Sequence, residues 1–372
     1  YDIYPAFQLR RYAWSARLPL SILTDFEEFA VYESRTKPDK SDRAATGRVM
    51  LLNYKDYPAK WDELAAIFSR EAVLKGSFDQ YAEGLKGKRG TTEVDDAFLQ
   101  EIEGWRDLLA RNIALRNPDL QVRELNYAVQ MTIDRIVFLR ICEDRGIERE
   151  NQLQELLNGD GVYGRLCQLF KQADGRYNSG LFHFSAEKEQ SSTPDDLTLG
   201  LAMADKVLKE IISGLYYPAP YVFREIPAEI LGQVYERFLG KVIRLTAGHQ
   251  ARVEEKPEVR KAGGVYYTPT YIVDYIVKNT VGVLLEGRTP GEAASLKILD
   301  PACGSGSFLL GAYQYLLDWH TKWYSEHEPQ TWARAKTPVI YQAQGGGYRL
   351  TTAEKKRILL DNIHGVDIDP QA

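Results

Sequence analysis

Apolar side chains recur at spacings of three and four over Asp96 to Arg111, Val122 to Arg145, Glu150 to Leu157, Gly164 to Lys171 and Leu197 to Leu215. That is the periodicity of helices that bury one face. Val122 to Arg145 carries the longest stripe, with Leu125, Val129, Ile133, Ile136, Val137 and Ile141, and is expected to be a core helix. Pro227 to Leu239, with Ile230, Leu231, Val234, Tyr235 and Phe238, predicts another. Near the start, Phe7 to Trp14 reads as a helix and Leu20 to Tyr32 as a hairpin turning at Asp25-Phe26-Glu27-Glu28. The pattern changes after residue 264. An amphipathic stretch runs from Tyr271 to Val283, with Pro269 suited to a helix entry. Leu296 to Leu299 is a short apolar run before a glycine turn, and Leu309 to Leu317 is a second one after it. Ile363 to Pro370 reads as another strand ending in an acid. The polar stretches Gly84 to Glu93, Ser185 to Pro194, Thr246 to Gly263 and Gln344 to Tyr348 are expected to be mobile connections.

The turn between the two apolar runs, Asp300-Pro301-Ala302-Cys303-Gly304-Ser305-Gly306-Ser307-Phe308, carries the most chemistry. Glycine at 304 and 306 lets the backbone turn sharply near a ligand, and the helix that follows offers N–H groups at its start. A nucleoside triphosphate loop would continue Gly-Lys-Ser/Thr, but Ser307-Phe308-Leu309 stands there, so no lysine awaits a phosphate. A dinucleotide-binding turn is nearer, yet its third glycine is missing, and Asp300 closes the strand. A carboxylate at that position suits a ligand bearing an ammonium group. Asp367 closes the later strand, where an acid can accept hydrogen bonds from both hydroxyls of a ribose. Taken singly, a Gly-x-Gly turn is ordinary loop geometry and an Asp at a strand end is an ordinary cap.

The ordered combination is more specific. Tyr266-Tyr267-Thr268-Pro269, then Asp300-Pro301-Ala302-Cys303-Gly304-Ser305-Gly306 with Phe308, then Gly365-Val366-Asp367-Ile368-Asp369-Pro370 resembles the cofactor half of an amino-methylating DNA methyltransferase of the gamma arrangement. The resemblance implies a Rossmann-like sheet that binds S-adenosylmethionine and acts on double-stranded DNA. It implies that Tyr267, Thr268 and Pro269 lie against the methionine end of the cofactor. Asp300, Ala302, Gly304 and Gly306 would wrap its methionine and ribose, with Phe308 packed beneath. Asp367 would hold the ribose hydroxyls, with Ile368 beside the adenine ring. The motif order points to adenine N6 as the methyl acceptor, with cytosine N4 left open. The Asn/Asp/Ser-Pro-Pro-Tyr/Phe loop that would grip the amine is not found, since Asn117-Pro118-Asp119-Leu120 lacks the second proline and the aromatic residue. The sheet is therefore expected to be cut short at Ala372, and this polypeptide alone is expected to be inactive in methyl transfer.

The first residues resemble a different module. A helix with Gln8 and Tyr12 on one face, followed by paired strands, is similar to the rear part of a PD-D/E-x-K nuclease of fused restriction-modification enzymes. In that family the acidic ligands for Mg2+ and the lysine precede this helix. The Ile230-Leu231-Gly232 to Phe238-Leu239 run resembles the helical connector of the same enzymes. The expectation is thus an α/β chain with an all-α connector. Residues 1–75 would be the C-terminal part of a nuclease-like domain, 76–245 a helical connector, and 246–372 the cofactor-binding start of an adenine-N6 methyltransferase. Two other readings stand beside it, a phage-exclusion DNA methyltransferase without nuclease and a non-catalytic DNA- or protein-binding scaffold.

Composition adds bounds. At 372 residues and 44% hydrophobic content the chain can hold two or three cored domains. A net charge of −5 argues against a uniformly basic nucleic-acid surface, while leaving room for a local basic track such as Lys86, Lys88 and Arg89. Five histidines and three cysteines share no ligand spacing, and Cys142, Cys167 and Cys303 are expected to be small buried residues. Glu254-Glu255-Lys256 has an E-x-K form but lies in a polar stretch without a strand pattern, which favours a solvated loop. No apolar run approaches about 18 residues and no signal peptide is evident, so a soluble, cytoplasmic protein is expected.

Overall fold

The computed structural model describes residues 3–85, 93–177, 180–185, 194–226, 234, 238, 240–256, 268, 270–304, 306–343 and 346–367. The chain divides into two compact units, one made of Tyr1–Val234 with Lys241–Lys256, the other of Tyr235–Gly240 with Pro257–Ala372.

In the first unit, helix α1 (Ile3–Ser15) precedes an antiparallel sheet of β1 (Leu20–Thr24), β2 (Glu28–Glu33) and β3 (Arg48–Asn53), in that spatial order. The expected hairpin is present. Phe26 adopts φ +70° at its tip, where Asp25 accepts a hydrogen bond from the Glu28 amide and Thr24 donates to the Glu28 carbonyl. The two-residue alternation of β2 faces two cores. Ala30 and Tyr32 pack with Ala6 of α1, while Val31 packs with Leu20 and Ala82 and is flanked by Phe68 of α2 (Tyr57–Phe68).

The long helices follow the periodicity closely. Helix α3 spans Val94–Arg116 and α4 spans Val122–Asp144, with Leu125, Val129, Ile133 and Ile136 of the expected stripe fully buried. Helix α5 (Val162–Tyr177) extends beyond the predicted Gly164 to Lys171. The expected helix from Leu197 to Leu215 is not continuous. A single 3-10 turn at Thr198–Gly200 is followed by extended backbone at Leu201, and α6 covers only Asp205–Ser213. The residues after that turn are held from the end of α3, where the Ala202 amide donates to Asn117 Oδ1 at 2.9 Å and the Ala204 amide to Asn112 Oδ1 at 2.8 Å, bonds that take both amides out of a helical ladder.

A second correction concerns Thr246 to Gly263. Residues Lys241–Leu245 (β4) and Ala251–Glu255 (β5) form an antiparallel hairpin, so Glu254 and Glu255 lie on a strand rather than in a loop. Asn126 of α4 holds the hairpin by accepting from the Ile243 amide at 2.8 Å and donating to its carbonyl at 2.7 Å.

The second unit begins, among described helices, with α7 (Thr270–Val277), which runs into a π-helical turn at Lys278–Gly282. Strand β6 (Ile298–Asp300) leads through the glycine turn into α8 (Ser307–Glu326). A short hairpin of β7 (Ile340–Gln342) and β8 (Tyr348–Leu350) follows, so Tyr348 belongs to a strand although the polar composition suggested a mobile loop. Then α9 (Thr352–Asn362) delivers β9 (Ile363–Gly365), which pairs parallel with β6 in the register Ile298↔Ile363, Leu299↔His364 and Asp300↔Gly365. The core is Val273, Val277, Leu316, Tyr324, Ile340, Leu350 and Ile358 with their neighbours. Gly311 lets α7 approach α8, since a Cβ there would sit 2.5 Å from a Val273 methyl.

Candidate functional site

The register of β6 and β9 decides the site. Both strands run the same way, so Asp300 and Asp367 emerge at the same end of adjacent strands although 66 residues separate them in sequence. Between them lies the turn that starts α8. Gly304 has φ +50° and Gly306 φ +75°, conformations in which a side chain is strained. Nothing lies within 4 Å of a Cβ built at either, so the left-handed backbone and not crowding requires glycine there.

The turn spends its donors on the protein. The Ala302 amide donates to Asp300 Oδ1 at 3.1 Å, Cys303 to the Val366 carbonyl at 3.0 Å, Gly304 to Asp367 Oδ2 at 2.9 Å and Gly306 to the Cys303 carbonyl at 2.8 Å. An anion nest needs such amides pointing outward. In front of the turn is a cavity of about 520 Å³, within the usual size for small-molecule sites. Thr268, Asp300, Ala302, Gly304 and Phe308 line it, joined by Cys303, Ser307 and the apolar face of Ile276, Val277 and Val281. No lysine or arginine is among the described residues lining it.

The structure thus brings together Thr268, Asp300, Ala302, Gly304 and Phe308 at one cavity, with Asp367 hydrogen-bonded to its turn and Gly306 capping α8. Tyr267, Pro269 and Ile368 lie outside the described residues. Cys303 departs from expectation: it is half-buried at the cavity wall, while Cys142 and Cys167 are buried as expected. The contributions of Ile276, Val277, Thr280 and Val281 escaped the sequence reading, because an amphipathic stretch shows which face is apolar but not that part of it faces a cavity. Gly365 has a packing role, since a Cβ there would lie 2.8 Å from a Leu309 methyl and 3.1 Å from the Cys303 sulfur.

Elsewhere the candidates divide. Gln8 and Tyr12 bond to one another at 3.2 Å, and Arg11 donates to Gln8 while its other nitrogens reach the Ala219 and Tyr221 carbonyls. The basic cluster Lys86, Lys88 and Arg89 lies outside the described residues. Among those described, no group of histidine, cysteine, aspartate or glutamate could hold a metal ion, and no helix is long and apolar enough to cross a membrane.

Residues 227–337 match the family model for N-6 DNA methylases. Over 371 residues, all of this chain, the sequence is 33% identical to the type II restriction enzyme and methyltransferase RM.Eco57I of Escherichia coli, and covers 35% of that protein. It is 27% identical over 263 residues to the adenine-specific methyltransferase BrxX of Escherichia coli O9:H4 (strain HS), across 60% of this chain and 19% of that one. It is 24% identical over 379 residues to a putative type II restriction enzyme and methyltransferase of Methanocaldococcus jannaschii, across 85% of this chain and 29% of that protein. The matched segment is thus similar to N-6 DNA methylases. More particularly, the chain is homologous to Eco57I-type restriction-modification enzymes and spans about a third of the length of the first of these relatives.

Proposed function

We propose that this chain carries the cofactor half of an S-adenosylmethionine-dependent methyltransferase that modifies adenine N6 in double-stranded DNA, within a restriction-modification protein that also cuts DNA. One observation carries the cofactor assignment. The turn at 300–306 sets two left-handed glycines between a strand and a helix, yet four of its amides bond within the protein and no lysine or arginine is among the described residues lining its cavity. A phosphate would meet no lysine or arginine among the described residues there, whereas a sulfonium amino acid joined to a nucleoside would find the Asp300 carboxylate.

The residues present fit that group. Asp300 accepts from the Ala302 amide through Oδ1 and, with its carboxylate at the cavity, would hold the methionine ammonium. Thr268, with Tyr267 and Pro269, would border the methionine end, and Ala302, Gly304 and Gly306 would let its chain pass close to the backbone. Phe308 and the apolar wall of α7 keep water from one side of the cavity. Asp367 would accept from the ribose hydroxyls and Ile368 would flank the adenine. When bound, S-adenosylmethionine supplies an electrophilic methyl group. On this reading residues 1–75 derive from a nuclease-like domain whose complete form uses Mg2+. The helical connector proposed for 76–245 ends in β4, and its partner β5 lies just past that bound, in the stretch Lys241–Lys256 that belongs to the first unit.

Calorimetric titration tests the assignment. The chain, or the full-length protein run beside it, should bind S-adenosylmethionine saturably and ATP not at all. Asp300→Ala should weaken the cofactor by about tenfold or more, the worth of a hydrogen bond to a charged group. Unchanged affinity in Asp300→Ala, or tighter binding of ATP, would sink the assignment. The BrxX match favours a second reading, an adenine-specific methyltransferase without nuclease. Failure of the full-length protein to cleave DNA with Mg2+ present would select it.

A further inference from the structure

We infer that Asp367 is a positioning residue for the glycine turn, and that the turn is held in its ligand-ready shape before any ligand arrives. The Gly304 amide donates to Asp367 Oδ2 at 2.9 Å across 63 residues of sequence. Two further bonds stand beside it. Val366 donates to the Asp300 carbonyl at 2.9 Å, and Cys303 donates to the Val366 carbonyl at 3.0 Å. The end of β9 therefore clasps the turn at three successive points, and Gly365 permits the approach because it presents no Cβ to Cys303 and Leu309.

A turn built on two left-handed glycines has little intrinsic preference for one shape, since glycine loses more backbone freedom than any other residue when it is fixed. A bond to an ionised carboxylate is stronger than one between neutral groups, so Asp367 supplies the largest of the three restraints. Ordering the turn in advance removes that cost from binding. The clasp is read from the structure itself. Its effect on affinity rests on the cofactor reading above.

The test needs no ligand at first. Cys303 is the half-buried cysteine of the turn, while Cys142 and Cys167 are buried. Its alkylation by iodoacetamide therefore reports the turn, and hydrogen exchange of the peptide holding Cys303 and Gly304 reports the bond. In Asp367→Ala both should rise about tenfold in the ligand-free chain. In Asp367→Asn, whose neutral amide oxygen can still accept from Gly304, both should rise less than in Asp367→Ala. S-adenosylhomocysteine should then bind Asp367→Asn more tightly than Asp367→Ala. Unchanged alkylation and exchange in Asp367→Ala would overturn the clasp whatever happens to affinity. Equal gains at Cys142 and Cys167 would also overturn it, by showing general loosening. If the turn loosens as expected but neither parent nor variant binds S-adenosylhomocysteine, the clasp stands and the cofactor assignment falls.

Discussion

His320 shows what single residues contribute beyond the site. It has no exposed surface, and its Nδ1 lies 2.8 Å from the Leu316 carbonyl one turn back. That oxygen can only accept, so Nδ1 carries the proton and Nε2 is left buried without a partner. Burial lowers the imidazole pKa below 6.5, against the raising effect of Glu354. For Glu354 burial alone would raise the carboxyl. Hydrogen bonds and charge from Arg357, with Tyr324, bring it below 4.5. The signs agree in direction. The unfolded chain binds a proton at His320 that the fold excludes, so stability falls as pH drops below 6.5 until the folded imidazole also titrates. The Glu354 contribution is present above 4.5 and is lost as pH falls through its folded value. Asp134, whose burial pushes its carboxyl up to about 7, acts in the opposite sense over this window, so the difference between parent and His320→Leu is what isolates the histidine. In denaturant titrations from pH 8 to pH 5 the parent should lose stability relative to His320→Leu as pH falls below 6.5, and parallel curves would refute this. Little of it was legible, since the histidine was recognisable only as lacking a ligand spacing. By contrast Asp300, Gly304 and Gly306 were legible, because a strand end and a left-handed turn each restrict residue type.

At the scale of elements, legibility followed how far local pattern controls backbone state. The stripe of α4 was read to within a residue because every third or fourth side chain enters one core. The run Leu197 to Leu215 has the same spacing but failed, since Asn117 and Asn112 take the Ala202 and Ala204 amides and hold the chain extended before α6. The β4–β5 hairpin was invisible for another reason. Of its strand residues only Ile243 and Ala251 are buried, so no apolar alternation marks it. The contact of α7 with α8 was likewise unforeseen and makes a specific prediction. Gly311→Ala would place a methyl 2.5 Å from Val273 Cγ1. Valine is stiff at χ1 and cannot swing away cheaply, so α7 must shift. A loss of about 1–3 kcal/mol is expected in denaturant unfolding, as for other overpacked sites. Val273→Ala in the same chain should recover part of that loss. Equal stability of Gly311→Ala and parent would show that the two helices yield freely. Because α7 also walls the cavity, weaker cofactor binding should accompany the change.

For the whole molecule, the sequence showed the α/β character of the last third and the helical middle, but not how small the described sheets are. The first unit is built on α3, α4 and a three-stranded sheet, while the second shows, among the described residues, paired strands packed on α8. Among the described residues, one core cluster of the second unit draws on Val273 to Ile363 and two of the first unit on Ala6 to Leu85. Two units with separate cores can open separately. A ligand that binds only one of them should then stabilise that one by mass action, about 2.7 kcal/mol when its concentration is a hundredfold above Kd. Hydrogen exchange with saturating S-adenosylhomocysteine should therefore slow at core amides of the second unit, such as Leu316 and Ile358. It should leave Leu109 and Ile136 of the first unit unchanged. The strongest local protection should fall on Ile298 to Gly304 and Ile363 to Asp367, the two strands and the turn they carry. Equal slowing in both units would mean that they unfold as one body, and slowing confined to the first would move the ligand away from the glycine turn altogether.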